Sequence, residues 1–198
     1  MCSCKPTAWL IRRALRREFN ALGPDALKVT PEVFNHDAIL IKGHNQWYVG
    51  DAQPWRARLT PLEQYERDVN SGYLYNLRIF EAKGATHDQE EDAAAWWLEN
   101  INGAWYDFMA YPRLILKVIF GDYWQWAAGW EWARWCTEGV SESYLKGAKF
   151  DVYHKTNPTP LTTVKRAISG DLTDITNHVS GWEIPLIDRR FTRRKYTR

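Results

Sequence analysis

One cysteine, one histidine and one aspartate in this chain could perform nucleophilic chemistry. Cys136 is the only cysteine beyond residue 4, in the stretch Ala133-Arg134-Trp135-Cys136-Thr137-Glu138-Gly139-Val140-Ser141-Glu142-Ser143-Tyr144. The spacing predicts a helix over 136–146, with Cys136 in its first turn. There the positive end of the helix dipole and unpaired backbone N–H groups favour thiolate over thiol. The same N–H groups can hold an oxyanion. A lone cysteine is equally at home as a small buried hydrophobe, so a partner base decides between the two readings. Such a base takes the thiol proton, returns it to the leaving group, and needs a third group to orient it.

The chain has five histidines. His44 falls in a turn, His87 at a helix start beside acids, and His154 and His178 in polar segments. None of the spacings is that of a zinc protease helix, and the chemistry requires no metal or other cofactor. His36 differs because it opens an apolar run, Asp37-Ala38-Ile39-Leu40-Ile41-Lys42. Gly43-His44-Asn45 follows as a turn, then Gln46 to Ala52 as a second strand. The two ends of an antiparallel hairpin are neighbours in space. His36 and Asp51 are therefore expected to meet.

The elements that must position these residues read as α+β. A small antiparallel sheet is predicted from residues 37–42, 46–52 and 73–80, packed on the helix that carries Cys136. Thr60-Pro61-Leu62-Glu63 opens a short helix to about Val69. Thr86 caps a helix over 86–100 whose buried side is Ala94, Trp97, Leu98 and Ile101, and Asn102-Gly103 ends it. Pro112 to Phe120 reads as an apolar helix. Gly147 reads as the C-cap of the nucleophile helix, and Leu161 to Ile168 as one or two helical turns. Residues 7–22 form an amphipathic helix able to dock on the body, a partner or a lipid surface. Three regions result: a basic N-terminal helix at 1–24, a body at 25–169, and a basic extension of lower order from 170 to 198 with a possible strand near Trp182-Glu183-Ile184.

The chain has 198 residues, 45% hydrophobic and 25% charged, with a net charge of +2. It is long enough for one substantial core. The near-neutral total supplies no field for nucleic acid. Twelve tryptophans include Trp124, Trp126, Trp130, Trp132 and Trp135 in one run. With only Arg134 interleaved, they read as an aromatic wall rather than a base-stacking surface. Arginines gather at 12–17 and 189–198, which suits docking on an acidic surface or protein partner and equally suits solvated ends. Three cysteines cannot make a paired framework, so a reducing compartment fits. No signal peptide or run of 18 apolar residues is visible. The expected location is cytoplasmic or particle-associated.

Five pieces in order resemble the circularly permuted papain-like hydrolases of the NlpC type, the YiiX-like group: His36-Asp37-Ala38-Ile39-Leu40-Ile41; Trp47-Tyr48-Val49-Gly50-Asp51-Ala52; Pro61-Leu62-Glu63-Gln64-Tyr65; Gly103-Ala104-Trp105-Tyr106-Asp107; and Trp135-Cys136-Thr137-Glu138-Gly139-Val140. The resemblance covers roughly residues 25–168. It implies a permuted papain-like fold with Cys136 as nucleophile, His36 as base and then acid, and Asp51 as orienting residue. The group more often carries His, Glu, Asn or Gln at the place of Asp51, and Ser-Glu after the cysteine where this chain has Thr137-Glu138. Aspartate suits the orienting role because it accepts the second imidazole N–H and favours imidazolium. Glu138 could bind backbone N–H groups, as a cap, or a substrate amine. Tyr106 and Asp107 could line the cleft or form a structural turn.

The expected activity is a cysteine hydrolase acting on an amide bond, with peptide or acyl substrates and possibly cell-wall peptide. Two other classes stay open. One is a lipid acyl hydrolase or acyltransferase. The other is a non-enzymatic component of a larger, possibly phage, particle that kept the fold.

Overall fold

The structure is a computed structural model and describes residues 15–16, 18–30, 36–53, 55–71, 77–107, 133–154 and 158–179. It is α+β, with small sheets packed among short helices. The predicted apolar helix at 112–120, the tryptophans from 124 to 132, Cys2, Cys4, the strand near 182–184 and the basic tail lie outside the described residues.

β1 (Ile39–Lys42) and β2 (Trp47–Ala52) form the predicted hairpin, with Ile39 opposite Gly50 and Lys42 opposite Trp47. Its turn is closed by the Gly43 N–H on the Gln46 carbonyl at 2.8 Å. The third strand differs from expectation. Among the described residues it is β3 (Ala57–Pro61), antiparallel to β2. A short connection folds β3 straight back on β2. Pro61 is tolerated because β3 is an edge strand, where the missing N–H breaks no ladder. Of the predicted strand, 77–79 are irregular and 73–76 lie outside the described residues. Phe80 instead begins β4 (Phe80–Ala82).

α1 (Pro24–Val29) follows helical residues at 15–16 and 18–21. Leu15, Phe19 and Ala26 pack on Leu161 and Val164 of α5 (Pro160–Ile168). Of the docking options open to the N-terminal helix, its described part takes the body. α2 (Leu62–Asn70) runs on from β3. α3 (His87–Asn100) starts at the expected Thr86, where Thr86 Oγ1 accepts from the Gln89 N–H and Gln89 Oε1 accepts from the Thr86 N–H. Its buried stripe is Ala93, Trp97 and Ile101, a strict i+4 row. Leu98, expected inside, is 38% exposed.

β5 (Trp105–Tyr106) pairs in parallel with β6 (Ala133–Arg134), which feeds directly into α4 (Cys136–Glu142). After Glu142 the chain widens into a π turn, Ser143–Gly147, and the C-cap is Ala148 rather than Gly147. Gly147 serves close packing instead. A Cβ there would lie 2.6 Å from Trp96 Cβ and 2.8 Å from the Asp92 carbonyl. β7 (Leu172–Asp174) pairs with β4, and Val179 is buried with Val49 and Leu62. The described residues 170–179 thus pack on the body, through the β4–β7 pair and Val179.

Candidate active site

His36 sits just ahead of β1, and β2 carries Asp51 beside it through the hairpin register. His36 Nε2 lies 3.4 Å from Asp51 Oδ2. α4 brings Cys136 near enough to the same imidazole for the sulfur to act on it electrostatically. The expected Cys136, His36 and Asp51 are therefore together, from three separate stretches of chain.

Two devices hold α4 against the sheet. The first is a stitch of backbone bonds: the Ala57 N–H to the Ala104 carbonyl at 2.8 Å, the Gly103 N–H to the Ala57 carbonyl at 2.8 Å, and the Tyr106 N–H to the Trp55 carbonyl at 3.2 Å. This joins β3 to β5, and β5 to β6 and Cys136. The second is Trp97, which is 1% exposed. Its indole lies over Gly50, where a Cβ would meet the ring at 3.0 Å, and reaches Gly139 of α4, where a Cβ would meet Nε1 at 3.9 Å. Trp97 separates the strand bearing Asp51 from the helix bearing Cys136 by one ring.

The electrostatics favour a protonated imidazole beside Asp51. Burial pushes the His36 ring down, but the nearby Cys136 sulfur and the Asp51 carboxylate outweigh it and raise it from 6.5 to about 10. Solvent at the ring, which is 35% exposed, damps these effects. Asp51 is 2% exposed. Burial pushes its carboxyl up, yet bonds from His36, Tyr65 and Gln53 hold it below the usual range. Tyr65 Oη donates to Asp51 Oδ2, and Gln53 Nε2 donates to the same oxygen at 3.1 Å. Gln53 also reaches Tyr65 Oη at 3.2 Å. Asp51 Oδ1 is buried with no donor.

The sequence reading gave no role to Tyr65 or Gln53. The available signals were weak: Gln53 lies two residues past Asp51, on the same strand face, and Tyr65 is on the first full turn of the following helix. Glu138 accepts from the Trp135 N–H at 3.5 Å, which makes it a cap of α4. Trp135 itself is the N-cap residue and packs on the core. Tyr106 and Asp107 are buried at 5% and 0%. The β5–β6 register sets Tyr106 opposite Arg134. Among the described residues no group of His, Cys, Asp and Glu could hold a metal ion, and no helix is long and apolar enough to cross a membrane.

A cavity of about 510 Å³ borders His36 and Asp37 and runs along β1 to Phe80, Leu98 and Tyr144, with Glu81 and Glu90 also lining it. Burial, then the charges of Glu90 and Glu81, push the Tyr144 hydroxyl up to about 12. Cys136 is 5% exposed and the His36 ring beside it 35%.

No family model, curated protein or solved structure matches the chain.

Proposed function

We propose that the protein is a cysteine hydrolase of the permuted papain-like kind, cleaving an amide bond through a thioester intermediate. One observation carries this reading. An imidazole under the electrostatic influence of a cysteine sulfur also faces a buried, ionised aspartate that is itself braced by a tyrosine and a glutamine. A structural cysteine needs none of these partners. Each costs desolvation that apolar packing would avoid.

In the proposed reaction the Cys136 thiolate attacks the carbonyl carbon and a C–S bond forms. The carbonyl π electrons move to oxygen, and the oxyanion rests near the Cys136 N–H, which has no intrahelical partner at this first helical position. His36 gives its proton to the leaving nitrogen as the C–N bond breaks. Water then attacks the thioester, His36 takes its proton, and the thiolate leaves. Asp51, beside Nε2, keeps the ring oriented and charged. The largely apolar cavity beyond His36, with acids at its far part, suits a peptide or acyl chain.

The test is a substrate screen on wild type, Cys136→Ala and His36→Ala. Peptides, cell-wall peptide fragments and acyl esters would be followed by product release. Amide cleavage is expected to vanish in Cys136→Ala and to fall at least about 100-fold in His36→Ala. Preferential ester turnover would move the reading to a lipid acyl hydrolase. Equal rates in wild type and Cys136→Ala would refute the nucleophile.

A further inference from the structure

The steps above make no use of a buried polar cluster one residue away from the reacting groups. Asp37 directly follows His36, and Thr137 directly follows Cys136. Asp37 is 9% exposed and Thr137 0%. Thr137 Oγ1 donates to Asp37 Oδ2 at 2.8 Å. Thr163 Oγ1, from α5, donates to the same oxygen at 3.0 Å. The Tyr153 hydroxyl lies 3.3 Å from Thr163 Oγ1. The segment before β1, the first turn of α4, α5 and the chain at 153 therefore meet at one carboxylate.

A threonine hydroxyl has a single hydrogen. That of Thr163 is spent on Asp37. That of Thr137 is also spent on Asp37. Thr137 Oγ1 lies 3.8 Å from Cys136 Sγ and can then accept from a thiol but has no hydrogen to offer a thiolate. The ring of His36 is left as the donor that meets the ionised sulfur.

Packing alone does not call for a carboxylate here. Burial pushes the Asp37 carboxyl up, and the two threonine bonds, with His36 and Tyr153, draw it back. An apolar side chain would fill the space without that cost. Directional bonds do what packing does not: they fix one separation between two backbones.

We propose that Asp37 is a positioning residue of the site: by holding Thr137 and Thr163 on one oxygen, it sets the separation between His36 and Cys136. The proposal rests on the His36–Cys136 pair being the reacting pair, and its test separates the two ideas. Two readouts are taken on the full chain. One is the NMR titration midpoint of the His36 ring, with and without Cys136→Ser. The other is the rate of iodoacetamide alkylation at about pH 6. Thr137→Val keeps the shape and removes the hydroxyl, Thr137→Ser restores it, and Thr163→Val removes the second bond at a distance from the sulfur.

In an otherwise wild-type chain, Cys136→Ser lowers the His36 midpoint. In Thr137→Val that drop shrinks and alkylation slows about tenfold, the order of one hydrogen bond. Thr137→Ser recovers both readouts, and Thr163→Val moves both in the same direction as Thr137→Val. If both valine variants melt lower yet leave the midpoint drop and the alkylation rate as in wild type, Asp37 is a structural anchor only and the proposal falls while the reacting pair stands. Should Cys136→Ser leave the His36 midpoint unmoved in the wild-type background, the reacting pair itself fails and the proposal falls with it. Thr163→Val decides the matter by itself if Thr137→Val does not fold.

Discussion

Three donors converge on one oxygen of Asp51: Tyr65 Oη, Gln53 Nε2 and His36 Nε2. A carboxylate accepts from all three, whereas a protonated carboxyl would have to offer a hydrogen of its own. Burial, then the adjacent Asp51 charge, push the Tyr65 hydroxyl well above its usual value, so Tyr65 stays a donor. The pH dependence follows from these directions. An imidazole raised from 6.5 to about 10 holds its proton more tightly in the folded chain. Its contribution to stability is complete below about pH 6.5 and is lost as pH climbs through 10. Asp51, lowered from 3.8, contributes above that value, and its contribution is lost as pH falls through its depressed folded value. Asp37, raised from 3.8, acts in the opposite sense: its contribution is present below 3.8 and fades as pH rises. The charged and titratable neighbours of His36 are thus Asp51, Cys136 and Asp37. Asp51→Asn is expected to destabilise most near about pH 6.5, where the imidazolium is fully formed. The gap from wild type should narrow toward pH 10, measured by urea unfolding at each pH. A gap that stays constant or widens over that range would contradict the ion pair.

At the scale of elements, the hairpin is legible in the sequence and the placement of Cys136 is not. Alternation in Ile39–Lys42 and Trp47–Ala52 around a glycine turn fixes the register, and register alone brings Asp51 to His36. Cys136 arrives through a two-residue parallel pair and through Trp97, and neither leaves a periodic trace. The third strand was misassigned for a related reason. Residues 73–80 are richer in aromatic and branched side chains than Ala57–Pro61. Adjacency in the chain prevailed over composition, because β3 can fold back on β2 at once. Asp37 and Thr137 were equally hidden. Each looked like the neighbour of a site residue, and only the tertiary fold shows that they bond to each other. Gly50 is the element-scale residue most open to test. A Cβ there would lie 3.0 Å from Ile39 Cγ2 and from two atoms of the Trp97 ring. The neighbours are a strand side chain and a buried indole, neither free to swing away. Gly50→Ala should therefore cost about 1–3 kcal/mol in urea unfolding, as overpacking does. It should also slow Cys136 alkylation by shifting β2 away from α4. A neutral or stabilising result would mean that Trp97 does not set the spacing.

At the scale of the whole molecule, Cys136, His36 and Asp51 come together only once the chain has folded. His36 and Asp51 come from one hairpin, Cys136 from a helix far along the chain, and the N-terminal helical residues, α1 and α5 close a second small core beside them. In the unfolded chain Cys136 has no imidazole near it in sequence and is an ordinary thiol. The pH dependence of its reaction with iodoacetamide therefore reports the folded architecture directly. The decisive measurement is that rate against pH for the folded wild type, folded His36→Ala and the wild type in urea. Fast alkylation that persists below about pH 7 in the folded wild type, and is lost in both the variant and the unfolded chain, is the predicted result. A rate that rises only near about pH 8.5 in all three, or no reaction in the folded protein, would contradict the thiolate–imidazolium pair and leave Cys136 a buried structural residue.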